Sequence, residues 1–119
     1  TVISDRRAKS DIKNSALGLD FIKTLRPVSY FKKNDENKKT EYGFIAQEVE
    51  ATLKKAGDSN NGVIYVDPDG NYGMRYNDII PITVKAVQEQ QEMIDSLKKI
   101  IEDQNKRFEK IESLLLKKE

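Results

Sequence analysis

From residue 80 almost to the end of the chain, apolar residues recur every three or four positions. That is the period of one face of an α-helix. Taking Ile80 as heptad position a places Ile80, Val87, Ile94, Ile101, Phe108 and Leu115 at a, all apolar. The d positions are mixed: Thr83, Gln90, Leu97, Gln104, Ile111 and Lys118. Ala86, Met93, Ile100 and Leu114 at g widen the stripe. Asn77 or Asp78 is placed to cap this helix, with Pro81 in its first turn, where proline is tolerated. A wide stripe with β-branched residues at a favours more than two strands. The expectation is a trimer, ahead of a tetramer or dimer, with Val87, Ile94, Leu97, Ile101, Phe108, Ile111 and Leu115 in its core. Gln90 and Gln104 would then be polar layers that set register at a cost in stability. The plainer alternative is a lone helix packed on its own domain. It runs into length, because roughly 60 Å of helix overhangs a domain this small.

Upstream the pattern is shorter and changes period. Residues 1–14 are polar and charged, with Ser10 or Asp11 able to cap a short turn. Ala16, Leu17, Leu19, Phe21, Ile22 and Leu25 predict a helix over 16–25, weakened by Gly18 and ended before Pro27. Residues 28–32 are β-branched and aromatic and predict a strand, hairpinned with a second at 41–45 across a charged loop at 34–40. Ala46, Val49 and Leu53 fall on one face of a helix over 46–55. Strands at 63–66 and 72–76 flank Asp67-Pro68-Asp69-Gly70-Asn71, a turn by residue type. This run lacks the ligand series of a calcium loop. The fold class is α+β: a small domain of short helices and β-hairpins, then a long C-terminal helix forming a trimeric coiled coil.

Composition narrows the chemistry. Of the 119 residues, 37% are hydrophobic and 34% charged, so a monomer buries a thin core and oligomerisation is a common remedy. The net charge of +1 balances 21 basic against 20 acidic residues and argues against nucleic acid. The chain has no cysteine and no histidine. That removes thiol chemistry, disulfides, most zinc sites and every mechanism in which histidine activates serine or cysteine. No apolar run reaches the length of a membrane span. Starting at Thr1 without an initiator Met, the chain reads as a piece of a longer polypeptide.

The remaining nucleophile with a base nearby is Ser4, with Lys9 five residues on. A lysine activates serine only when its amine is neutral, a state that burial favours. On a regular helix these positions are not adjacent, so a turn would have to join them. In a chain with 21 lysines and arginines a serine near a lysine occurs often by chance, and the residues alone favour Ser4 as a cap and Lys9 as a solvated charge.

Context comes from four ordered blocks: Ser4-Asp5-x-x-Ala8-Lys9-x-x-Ile12, Leu25-Arg26-Pro27-Val28, Gly43-Phe44-Ile45-Ala46-Gln47-Glu48-Val49, and 76–97 with Pro81, Ala86, Glu89 and Leu97. Together they resemble the intramolecular chaperone domain of phage endosialidases and tailspikes, the peptidase S74 family. The resemblance implies a C-terminal module that trimerises, assists an upstream β-rich fibre or spike of the same polypeptide to assemble, and releases itself by autoproteolysis. Ser4 matches the nucleophile and Lys9 the base, with Ile3–Ser4 the scissile bond. Asp5 and Gln47 are supporting residues, and Arg6 has no role. Residues 1–3 would be the client's tail, 4–76 the chaperone and autoprotease core, and 77–119 the trimerisation helix. The hairpins, with Lys32, Lys33, Lys38 and Lys39, could grip the client. No cofactor is required, although some neck-appendage relatives point to ATP as a release trigger; there is no P-loop here. The expected setting is the host cytoplasm during virion assembly, with the module absent from the mature virion. The competing function is a non-cleaving trimerisation or adhesion module in which Ser4 and Lys9 are inert.

Overall fold

The structure, a computed structural model, describes residues 1–118. The N-terminal segment winds once, in a 3-10 turn at Arg6–Ala8, and the cap is Asp5 rather than Ser10 or Asp11. Helix α1 spans only Leu19–Ile22, well short of the expected 16–25. Two local features shorten it. The Ser15 hydroxyl donates to the Leu17 carbonyl (2.7 Å) and accepts from its amide (3.2 Å), a local bond that competes with helix. Gly18 then holds a non-helical backbone at the cap position.

Strands β1 (Val28–Tyr30) and β2 (Glu41–Gly43) form an antiparallel hairpin, Val28 opposite Gly43 and Tyr30 opposite Glu41. The 34–40 connection is itself wound. The Asp35 carboxylate accepts from the amides of Asn37 (3.0 Å) and Lys39 (2.9 Å), and the Lys38 ammonium lies over the Phe31 ring. Helix α2 covers Ala46–Lys55, as its apolar spacing predicts. It closes through Gly57, at φ +83°, where the Asp58 amide reaches back to the Leu53 carbonyl and the Gly57 amide to that of Lys54. These reverse bonds satisfy carbonyls that the helix end would otherwise leave open.

Strands β3 (Ile64–Val66) and β4 (Tyr72–Met74) make the second hairpin. At its tip the Asp67 carboxylate accepts from the amides of Asp69 and Asn71, so it serves the turn. Tyr76, expected in the strand, begins a 3-10 turn at Tyr76–Asp78 that leads into α3, Ile79–Leu116. Asp78 occupies the cap position of α3 without a capping side-chain bond.

The core is a cluster of Phe21, Val49, Leu53, Val63, Ile79 and Ile82, drawn from α1, α2, the approach to β3, and α3. Val49 and Leu53 are its most enclosed members. On α3, Ile79, Ile82 and Ala86 face this core. Ala86 therefore belongs to the domain contact and does not widen the exposed stripe. Ile80, Val84 and Val87 lie exposed, and from Gln91 to Lys118 every residue is exposed. At 1.5 Å per residue, the 38-residue helix is about 57 Å long. The small domain covers only its first turns.

Candidate functional site

Ser4 and Lys9 meet because the chain between them turns. Asp5 has extended backbone geometry and its carboxylate accepts from the Arg7 amide at 2.8 Å, as an N-cap does. The Ala8 amide donates to the Asp5 carbonyl (3.0 Å) and the Lys9 amide to that of Arg6 (3.1 Å). One turn of this kind brings the side chain at i+5 back over residue i. Lys9 Nζ donates to Ser4 Oγ at 2.8 Å. The pair lies within a single chain.

Asp5 does not touch either member through a hydrogen bond among the described residues. Its oxygens go to Arg7: Nε at 3.2 and 3.3 Å, and Nη2 at 2.9 Å. The guanidinium, and then the Arg7 amide, hold the Asp5 carboxyl below its ordinary value. Asp5 thus shapes the turn that carries the pair. Gln47 is exposed on α2, and no hydrogen bond joins it to Ser4 or Lys9 among the described residues. Residues 1–16 are all exposed, Ile3 at 81%. The site is open to water in the single chain.

The other motif blocks do different work. Arg26 Nε and Nη2 donate to the Glu48 carboxylate at 2.9 and 2.6 Å, tying the approach to β1 to the first turn of α2. Arg26 holds the Glu48 carboxyl below its ordinary value, chiefly through these bonds. The Tyr76 hydroxyl accepts from the Phe44 amide at 3.0 Å, and the two rings stack with centroids 6.0 Å apart. Tyr76 lies so close over Gly43 that a Cβ there would run into its hydroxyl. Glu89 of α3 accepts from the Leu19 amide at 3.1 Å, through space that Gly18 leaves free of a side chain. The sequence displays Arg26, Gly43, Phe44, Glu48, Tyr76 and Glu89 within its motif blocks, without their partners. The opposite charges of Arg26 and Glu48 were a usable signal, but no spacing rule pairs residues from separate elements.

The seven residues assigned to a trimer core, from Val87 to Leu115, are 44–64% exposed in the single chain. Among the described residues, no group of three or more His, Cys, Asp or Glu is gathered to hold a metal, and no helix is long and apolar enough to cross a membrane.

The short contact between Nζ and Oγ is the geometry along which a proton passes from a serine hydroxyl to a neutral amine. A family model, Peptidase S74, described as the chaperone of endosialidase, matches residues 4–58. That segment contains the Ser4–Lys9 pair, the Arg26–Glu48 bridge and Gly43. Among curated proteins, the sequence finds no match.

Proposed function

We propose, from the match of residues 4–58 to the family model for the chaperone of endosialidase, that the chain is an intramolecular chaperone that trimerises through α3 and frees itself by cutting Ile3–Ser4. The observation that carries the reading is the 2.8 Å contact from Lys9 Nζ to Ser4 Oγ. In a chain without histidine or cysteine, it joins a nucleophile to a base.

In the proposed reaction Lys9, neutral, takes the Ser4 hydroxyl proton as Oγ attacks the Ile3 carbonyl carbon. The bond from that carbon to the Ser4 nitrogen breaks, and the nitrogen leaves as an amine after gaining a proton. The Ile3 acyl group is then an ester on Ser4 Oγ. Water hydrolyses the ester, giving the Ile3 carboxylate and restoring the hydroxyl. A neutral lysine needs a desolvated setting. Packing of three chains around the N-terminal segments would supply one, which would delay the cut until assembly is complete. The partners are then two further copies and the upstream fibre or spike domain. Parallel fibres depend on non-local contacts and expose edges while they wait to pair, so a trimer-forming neighbour raises the local concentration of the chains to be registered. Removing that neighbour afterwards leaves the fibre kinetically trapped. The setting is host cytoplasm during virion assembly. The chemistry assigns no cofactor, and ATP enters only as a trigger to be tested.

The alternative, a trimerising stalk with an inert pair, draws on the openness of Ser4 and Lys9 to water. Intact mass separates the two, using a chain that keeps its native upstream sequence, in wild-type and Ser4→Ala forms, with and without ATP. The expected result is loss of the upstream peptide from wild type alone, leaving a product that begins at Ser4. An uncut trimer under every condition would leave only the stalk.

A further inference from the structure

In the motif Ser4-Asp5-Arg6-Arg7-Ala8-Lys9 the two arginines are chemically alike and structurally different. Arg6 forms no ion pair among the described residues. Arg7 makes two kinds of contact with one carboxylate: its backbone amide donates to Asp5 Oδ1 at 2.8 Å, and its guanidinium donates to both Asp5 oxygens at 2.9–3.3 Å. The amide bond winds the turn. The guanidinium holds the carboxylate in the position from which it caps. The Lys9 amide, bonded to the Arg6 carbonyl at 3.1 Å, closes the same turn. The Ser4–Lys9 contact is its side-chain consequence. Residues 1–16 are all exposed, and among the described residues every hydrogen bond made by residues 4–9 stays within that stretch, so the turn is held by its own bonds.

We infer that Arg7 is a positioning residue for the Ser4–Lys9 pair, acting through Asp5 rather than on the pair itself. The functional side of this inference rests on the self-cleaving reading; the geometric side does not. Asp5 is faced by Arg7 alone among the charged groups within ion-pair distance in the described residues. A planar guanidinium grips both carboxylate oxygens, whereas a lysine in its place offers a single point charge. The Arg7 side chain is 90% exposed and that of Asp5 46%. The ion pair is therefore worth the modest amount of a surface contact, and it matters because it adds to only a few local backbone bonds that hold the turn.

The test has two readouts on Arg7→Ala, Arg7→Lys, Asp5→Ala and the Asp5→Ala/Arg7→Ala double variant. The first is the nuclear Overhauser contact between the Ser4 β-protons and Lys9 ε-protons in the present chain, which needs no cleavage. The second is the release rate from the upstream-extended chain. The expected pattern is loss or strong weakening of the contact in Arg7→Ala, partial recovery in Arg7→Lys, and no further loss when Arg7→Ala is added to Asp5→Ala. Release should slow about two- to fivefold in Arg7→Ala, the scale of a surface ion pair, and about tenfold in Asp5→Ala, which also loses the cap. In the Asp5→Ala background the second substitution should cost nothing, since a residue acting through Asp5 has no effect without it. Retention of the full contact in Arg7→Ala overturns the inference. So does equal slowing by Arg7→Ala with and without Asp5. An uncut wild type whose contact still depends on Arg7 would uphold the positioning role and remove the self-cleaving reading.

Discussion

At Gly43, what matters is the absence of a side chain. Tyr76 crosses directly over its Cα to accept from the Phe44 amide, and this single crossing joins the β1–β2 hairpin to the entry of α3. Gly43→Ala should lower stability by about 1–2 kcal/mol, because the added methyl displaces the tyrosine hydroxyl. Urea unfolding reads this, and an unchanged midpoint would sink the account. The Arg26–Glu48 bridge predicts a pH effect. Glu48 has its folded-state value lowered from the ordinary 4.5. Its contribution to stability is therefore complete above the unfolded value and lost as pH falls through the lower folded one. Both side chains are largely open to solvent, so the effect is small and weakens with salt. The difference in urea midpoint between wild type and Glu48→Gln should be present at neutral pH and close well below 4.5. A gap that persists in acid would mean the two stabilities differ for some reason other than the charge. Of these contacts the sequence displays the residues but not the partners: Gly43 and Tyr76 lie in different blocks, and only folding brings them together.

On the scale of elements, α2 and α3 differ from α1 in what holds them. The α2 helix buries Val49 and Leu53 and closes through Gly57, so its apolar spacing and its stop signal agree with its observed limits. In α1 the spacing was opposed from the start by Gly18, and the local bonds of Ser15 together with Gly18 prevailed over it. α3 carries two faces at once. Ile79, Ile82 and Ala86 pack on the domain, while Ile94, Leu97, Ile101, Phe108 and Ile111 face solvent in the single chain. Isolated helix without tertiary contacts is marginal in water. The distal half should therefore gain helicity with protein concentration in wild type and lose that dependence in Ile94→Glu/Ile101→Glu. Circular dichroism and sedimentation of both chains across a concentration series read this. A wild type that is monomeric and fully helical at every concentration would contradict the trimer.

For the whole molecule, an extended outline of 81 × 44 × 29 Å follows from a small core and a helix that leaves it. The Ser4–Lys9 pair lies on an uncovered segment of that small domain, and the apolar stripe lies on the helix. If assembly controls the cut, the link between them is the packing of neighbouring domains around residues 1–16. The Ile94→Glu/Ile101→Glu chain should keep its core, because both positions are exposed, and should release no upstream peptide. Release at the wild-type rate from that monomer would show that Ser4 and Lys9 need no neighbour.

What the sequence determined by itself is what depends on period and on local chemistry: the α+β order, the limits of α2, the hairpin turn at Asp67, and the long helix with its apolar stripe. These follow from residues near one another along the chain, where spacing maps directly onto geometry. Only the tertiary structure decided that Asp5 spends its carboxylate on Arg7, that Arg26 reaches Glu48, that Tyr76 closes over Gly43, that Glu89 caps α1, and that Ala86 faces the core. Each joins groups whose separation in space is set by packing or by the exact course of a turn, quantities that a hydrophobic pattern does not encode.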